Sequence, residues 1–504
     1  MTPDSTHQFN SSIHQPNSPS HQPNSPIHQL TNSPILIVGS GITGLTAAYA
    51  LHRLGLRPRV LEAAPRSGGL IYSERVDGFT IEAGPDSVLS VKPAALELID
   101  QLGLSARVQH VRPPGGAYVL RGRRLYRLPR PSLLGIPLTW RGLARYDLLP
   151  WHARVRLALE PTVPRRRSEA DESVASFFRR RFGPDTVDLI AQPLLGGIHA
   201  GDIEQLSMAS LFPRLRDLER TRGRVLGVGP GSDLGRTRDW PEPYPGHAAG
   251  TSPFMSLTGG MGTLVDALEH TLPPGTIDYG ARVERLTRTA DGWRLDVHSD
   301  AGPRTETARA VIFACPARVV STLVSAVDRE AADLCARVPY VSTASVALAW
   351  PRSAVAHPLS GTGFVVARSR TDVRVTACTW VSSKWDGRAP DEAVLVRVFI
   401  GGAHDPAAPS LGDAELVAIV RRDLDRVLGI GAEPMLARVH RWLDAGAQHT
   451  VGHLDRTDRV ERRLSAAGGL FAAGSGFRSV GIPDCIADAR RAATEAADYL
   501  RQLS

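Results

Sequence analysis

Cysteine is scarce. Cys315, Cys335, Cys378 and Cys485 are the only four in 504 residues, and they lie far apart with no C-x-x-C pair. This spacing excludes a zinc site and a disulfide framework and fits a reducing cytoplasm. Cys485 lies in a motif-bearing stretch, yet it reads as a small buried thiol. The chain shows no basic run followed by an apolar core, so a secretory signal is not expected. Its uncharged stretch from Pro34 to Leu51 approaches bilayer length, but glycine and hydroxyl residues break it, which argues against a span. No nucleic-acid motif accompanies the formal charge of +8 (59 Lys and Arg against 51 Asp and Glu). The basic residues are mostly scattered arginines, and the runs Arg165–Arg167 and Arg179–Arg181 read as solvated helix faces. An anionic partner or surface is compatible with the excess.

The remaining composition, 42% apolar and 22% charged, is that of an ordinary globular protein. The length exceeds what one hydrophobic core covers and implies two or three domains. The first 33 residues stand apart: "HQFNSSI", "HQPNSPS", "HQPNSPI" and "HQLTNSP" place His7, His14, His21 and His28 at intervals of seven. Prolines and the lack of apolar a and d positions exclude a coiled coil. A disordered tail is expected in preference to a four-histidine metal site, and a translated upstream repeat with a start near Leu30 is one reading of it.

A dinucleotide loop follows. The apolar strand Ile35–Val38 leads into Gly39, Ser40, Gly41, Ile42, Thr43 and Gly44, then into a helix of small residues to Leu54. In such a loop the first glycine closes the turn and the second admits a pyrophosphate. The third lets helix and strand pack, with the phosphates on the helix N-terminus. A second strand, Pro58–Leu61, ends in Glu62, about 20 residues downstream, where an acid binds a ribose hydroxyl. "EAAPRSGGLI" then adds Arg66, Gly68 and Gly69 directly after Glu62 and Ala63. A nicotinamide enzyme has no use for this second glycine pair, and FAD is the expected cofactor.

Segments resembling parts of one nucleotide domain recur in three places. They are 34–92, 257–325 (with "LTGGMGTLVDALEHTL" and the strand-like "ARAVIFACPARVV") and 466–504 (with "GLFAAGSGFRSVGIPDCIADARRAATEAADYL"). Between them lie a helical domain at 93–216, a substrate-domain segment at 217–256 and a strand-rich substrate domain at 326–465, which includes "STASVALAW" and "EAVLVRVFIGG". The expected fold class is α/β: a discontinuous Rossmann-type FAD-binding domain with an inserted mixed-sheet substrate domain and a helical domain.

Four further stretches, "EAGPDSVLSVKP", "QPLLGGIHAGDIEQLSMASLFPRL", "GAQHTVGH" and "AGSGFRSVGIPDCI", resemble the protoporphyrinogen and coproporphyrinogen oxidases of haem synthesis, within the amine oxidase superfamily. The resemblance covers nearly all of the chain after Pro34 and inclines to the bacterial coproporphyrinogen III branch. It implies that FAD oxidises a porphyrinogen to the porphyrin in three two-electron cycles, with molecular oxygen as acceptor and hydrogen peroxide released. It also implies a cytoplasmic enzyme, peripheral at the inner face of the membrane, with ferrochelatase as a partner. No metal is required, because the cofactor carries the chemistry. The expected cofactor contacts are the first loop, Glu62, Ala63, Arg66, Gly68 and Gly69, then Gly84, Pro85, Asp86 and Ser87, Val283, and finally Gly474, Val480, Gly481 and Ile482. Near Asp484 a helix start is expected to aim its dipole at the flavin's carbonyl edge.

Departures from the pattern are Ser475 in place of asparagine, Asp444–Ala447 ahead of Gln448, and Trp385 with Asp386. Gly116 and Ala117 precede Tyr118 where plant and animal members carry a propionate-binding arginine. Lys92 is therefore the candidate propionate partner, weighed against an exposed loop lysine, and Asp86 is expected to orient the ring or relay a pyrrole proton. Alternatives are a protoporphyrinogen IX oxidase, another flavoenzyme of the superfamily such as an amine oxidase or carotenoid desaturase, and a non-catalytic porphyrin escort.

Overall fold

The computed structural model describes residues 35–226, 252–367, 372–478 and 480–503. The repeat tail and most of the segment 217–256 lie outside the described residues. Three separated stretches of chain supply a five-stranded parallel sheet in the order Ile277–Asp278, Pro58–Leu61, Ile35–Val38, Ala310–Phe313, Leu470–Ala472. Its central strands read ILIV and AVIF and are buried along their whole length. This follows from a parallel sheet covered on both faces. On one face Ile35 and Ile37 meet the helices Ile42–Arg53 and Ile482–Gln502, whose facing alanines (Ala47, Ala48, Ala489, Ala493, Ala496) let them lie close. On the other, Leu36 and Val38 meet Trp293 of a three-stranded antiparallel sheet.

A second, seven-stranded sheet runs in the order Leu436–Ala447, Tyr340–Pro351, Ala393–Gly401, Ala377–Trp380, Gly363–Val366, Ala117–Arg121, Arg124–Arg127. All neighbours are antiparallel except the pair Gly363–Val366 and Ala117–Arg121. The stretch 93–216, read as helical, thus also donates two strands to this sheet's edge. Along Tyr340–Pro351 side chains alternate between faces. Val346 and Leu348 pack on the helix Asp413–Leu428, while Ala347 and Ala349 meet Phe79 and Ile81. That second contact lays the chain from Glu82 to Ser87 against the sheet.

The helical part holds its own core, with Phe177, Phe178 and Ile190 fully buried. Its segment Val187–Gly196 is a π-helical run containing Pro193, which lacks an N–H for a regular ladder. Arg179–Arg181 is not a solvated face. Successive helical residues point about 100° apart, and Arg181 turns inward, fully buried against Glu160, while Arg180 pairs with Glu219 at 2.5 Å. Only Arg179, paired with Glu204, faces solvent.

Candidate functional site

The first glycine loop closes sharply. Gly39 has φ +101°, and a Cβ there would stand 2.7 Å from the Ala314 carbonyl oxygen. The helix that follows starts at Ile42 with no capping side chain and no acid in its first turn. The space in front of Gly41 is open for 4 Å. An uncapped helix start facing open space suits a bound pyrophosphate. Glu62 stands beside it: one carboxylate oxygen accepts Ser40 N–H (2.6 Å) and Ser40 Oγ–H (2.8 Å), the other accepts Ala64 N–H (2.8 Å). The second glycine loop docks on the first, with Gly68 N–H donating to the Ser40 carbonyl at 2.9 Å and Gly69 against Gly41. Arg66 folds back onto the carbonyls of Ser67 and Gly69 and over the Tyr72 ring. Ala63 is exposed. Val283 is buried near Glu62, whose carbonyl accepts Ala281 N–H at 2.8 Å. These donors, openings and glycine contacts fit a dinucleotide.

The last segment reaches the same place. Gly474 donates its N–H to Asp488 (2.8 Å), and its α-carbon faces Thr43 of the first loop. Val480 is half-buried, and Gly481 precedes the uncapped start of the helix Ile482–Gln502. Two carbonyls of the intervening turn are held from behind by stacked imidazoles with ring centroids 3.7 Å apart. His449 Nε2 lies 2.9 Å from Ser475 O, and His453 Nε2 lies 2.5 Å from Phe477 O. The Ser210 hydroxyl at His449 Nδ1 (2.7 Å) assigns Nε2 as the donor. Burial pushes His449 down to about 4 and His453 to about 3, so both are neutral at physiological pH. His199, near His449 and Lys92, is pushed down to about 4, chiefly by burial. The sequence reading assigned none of the three, although two stood in "GAQHTVGH".

The stretch Gly84–Ser87 is fixed by the seven-stranded sheet. Arg397 donates to the carbonyls of Glu82 (2.8 Å) and Gly84 (2.5 Å), and Trp442 Nε1 to that of Ala83 (2.8 Å). Pro85 lies between these anchors and Asp86. The Asp86 carboxylate accepts from Lys384 at 2.8 Å and from Ser87 Oγ at 2.7 Å, with Arg397 at 3.6 Å. Burial alone would raise its pKa, but the Lys384 ammonium and the Arg397 guanidinium overcome that and hold it well below the usual carboxylate range. A carboxylate so stabilised is a poor proton acceptor, so this arrangement supports the ring-orienting role expected for Asp86 more than the proton relay. Next to it Glu82 and Arg388 form a second buried pair at 3.0 Å.

Lys92 is not a free cation. Its ammonium meets Asp484, in the first turn of the last helix, at 2.5 Å, with the two side chains 45% and 35% exposed. The chain has just two lysines, Lys92 and Lys384, and both are held by carboxylates, of Asp484 and Asp86 respectively. Among the described residues no group of acids, histidines and cysteines is arranged to hold a metal.

The family described as flavin containing amine oxidoreductase matches residues 42–497. Coproporphyrinogen III oxidase of Bacillus subtilis (strain 168) is 33% identical over 92% of this chain and 98% of its own length. Protoporphyrinogen oxidase 2, chloroplastic/mitochondrial, of Arabidopsis thaliana is 26% identical over 93% and 95%. A crystal structure from Exiguobacterium sp. 255-15 superposes with a TM-score of 0.80 at 30% identity, covering 93% of this chain and 99% of that one.

Proposed function

We propose, for a chain that belongs to the flavin containing amine oxidoreductase family, that its substrate is a porphyrinogen and that coproporphyrinogen III is preferred to protoporphyrinogen IX. The protein is an FAD-dependent oxidoreductase. The observation that carries the substrate is the near full-length likeness to a bacterial coproporphyrinogen III oxidase, stronger than that to the plant protoporphyrinogen oxidase.

FAD supplies two-electron acceptance at a flat ring, and a porphyrinogen gives up six electrons and six hydrogens on becoming the porphyrin. With oxygen as the final acceptor the balance is three O2 consumed and three H2O2 released per porphyrin. The chain's own part is binding and placement. Glu62 would hold the adenosine ribose, the N–H groups of Ile42, Thr43 and Gly44 the pyrophosphate, and Val283 the adenine side. The stretches Gly84–Ser87 and Gly474–Ile482 would flank the ring, with Arg66, Gly68 and Gly69 closing the middle of the cofactor. Asp86, pinned as an anion between Lys384 and Arg397, sets a rigid charge pattern beside the reacting face. Lys92, half-exposed at the last helix, is a secondary carboxylate partner.

Localisation follows the same reading. No described helix is long and apolar enough to cross a membrane. A surface contact is supported by a cluster of outward apolar side chains, Trp140 (44% exposed), Trp151 (72%), Val155 (50%) and Leu159 (51%), flanked by exposed Arg141 and Arg145. Such a face suits the inner leaflet of a membrane, and a ferrochelatase would receive the product in the cytoplasm.

The test is a pair of anaerobically prepared porphyrinogens exposed to air with the enzyme, followed by porphyrin fluorescence and peroxide yield. Coproporphyrinogen III should be oxidised faster, with three equivalents of peroxide. No acceleration over the spontaneous rate would sink the enzymatic reading and leave the escort; faster protoporphyrinogen IX turnover would reverse the preference.

A further inference from the structure

The two residues directly ahead of Tyr118 are Gly116 and Ala117, and Lys92 is engaged by Asp484, so the carboxylates of a porphyrinogen lack a partner at either position. We infer that Arg127 and Arg130, arriving from the neighbouring strand, form a carboxylate-binding subsite at the Gly115–Gly116 loop. The inference rests on the porphyrinogen reading above and names the residues that recognise the ring's acidic edge.

Both guanidiniums converge on one spot. Where a side chain at Gly116 would begin, Arg127 Nε lies 3.3 Å away, Arg127 Nη2 3.4 Å and Arg130 Nη2 3.6 Å. Arg127 Nη2 donates to the Gly115 carbonyl at 3.3 Å and Arg130 Nη1 to the Pro114 carbonyl at 3.0 Å. Those two bonds orient the forks and leave most of each guanidinium's five N–H groups uncommitted. Elsewhere in the structure arginine is repeatedly matched with carboxylate, as in Arg180 with Glu219, Arg374 with Asp405 and Arg463 with Asp328. Among the described residues Arg127 and Arg130 have no carboxylate partner. Burial and the neighbouring Arg127 charge push the Arg130 guanidinium down, the expected response of two like charges held together. An anion placed between them relieves that repulsion and gains bidentate geometry.

The position suits the proposed substrate. The loop adjoins the segment that carries Lys384, because Arg112 N–H donates to the Lys384 carbonyl at 3.1 Å, and Lys384 in turn holds Asp86. On its other side, Gly135 of the same segment packs on Ile190 and Leu194 of the π-helical run that leads to His199. Arg127 and Arg130 therefore stand where the edge of the seven-stranded sheet meets the helical part, four strands from the one that carries Arg397. Coproporphyrinogen III carries a carboxylate on each of its four pyrrole rings, so more orientations of the ring present one to the arginines than with protoporphyrinogen IX, which carries two, on adjacent rings. That difference favours coproporphyrinogen III.

The experiment uses the full chain loaded with FAD. Arg127→Gln, Arg130→Gln and the double variant are compared with Arg123→Gln, on the turn of the same hairpin, as control. Product binding is read from coproporphyrin III fluorescence at several salt concentrations, alongside KM and kcat for coproporphyrinogen III. Each single change should weaken coproporphyrin III binding by about ten-fold, as loss of a charged hydrogen bond does. The effect should fall more on KM than on kcat, and the double variant should lose most of the salt dependence. Arg127→Lys should recover part of the loss, and flavin content should not change. Wild-type binding by the double variant, or an equal loss in the Arg123 control, overturns the subsite. Failure of the unaltered protein to bind any porphyrin overturns the substrate reading instead, so the two failures are distinguishable.

Discussion

Replacing Glu62 by alanine should injure the apoprotein as well as its affinity for FAD. Read from sequence, Glu62 serves only a ribose hydroxyl. In the structure its carboxylate also accepts the backbone N–H groups of Ser40 and Ala64, at 2.6 and 2.8 Å, and Ser40 is fully buried. Removing the carboxylate strands at least one buried donor, which costs about 1–3 kcal/mol. At about 2–4 °C per kcal/mol for domains of 150–250 residues, the apoprotein should melt roughly 2–12 °C lower. Loss of the charged ribose contact should add a fall in FAD affinity of roughly ten- to a hundred-fold. Glu62→Gln keeps an acceptor oxygen for Ser40, so it should recover most of the melting temperature and little of the affinity. Both quantities come from melting curves with and without FAD and a flavin titration of the deflavinated protein. If Glu62→Ala melts within a degree of the parent and binds FAD within about two-fold, the carboxylate does not hold the Ser40 and Ala64 N–H groups in the apoprotein and the reasoning fails.

His449→Leu should weaken FAD binding by about three- to ten-fold, because the Ser475 carbonyl loses its donor, while His449→Gln should retain it; flavin release on dilution measures both. Asp86, whose folded pKa is depressed, contributes stability that is complete above the unfolded value of about 3.9 and is lost as pH falls through the folded one. Asp86→Asn should therefore destabilise by about 3–5 kcal/mol, having left Lys384 and Arg397 without their anion. The difference in melting temperature from wild type should hold from pH 8 to pH 5 and shrink only below about pH 4; shrinkage between pH 7 and 5 would contradict the assignment. Lys92→Met should lower catalytic efficiency by less than the Arg127, Arg130 double variant, because Lys92 is half-exposed and already neutralised by Asp484; steady-state kinetics of the two variants decide.

Local features were the legible ones. Continuous apolar runs punctuated by glycine located the parallel strands at Ile35, Pro58 and Ala310, because strand period and turn chemistry are written within a few residues. What escaped was long-range juxtaposition. Lys92 was visible as a cation, but Asp484, its partner, is 392 positions away. Arg181 was one of three adjacent arginines, and nothing in that triplet says which one turns inward to Glu160. Asp86 was picked out as a site residue, but the cations that hold it ionised are remote in sequence: Lys384 ends the short helix Val381–Lys384 and Arg397 lies on the strand Ala393–Gly401. His449 and His453 act on a turn that follows them by two dozen residues, so their role appears only once the carbonyls of Ser475 and Phe477 are in place.

The parallel sheet draws its strands from both extremes of the chain, and Leu470–Ala472 forms its outer edge. During synthesis the loop at Gly39 emerges well before the turn at Gly474 that meets it and the helix that covers it. Flavin capture is thus a late event in the life of the polypeptide, after both inserted parts have left the ribosome. A chain stopped before Leu470 carries every residue of the first two glycine loops and still has no closed pocket, so added FAD cannot rescue it. Yellow colour in a growing culture would report chains extended past the helix Ile482–Gln502 rather than initiated ones.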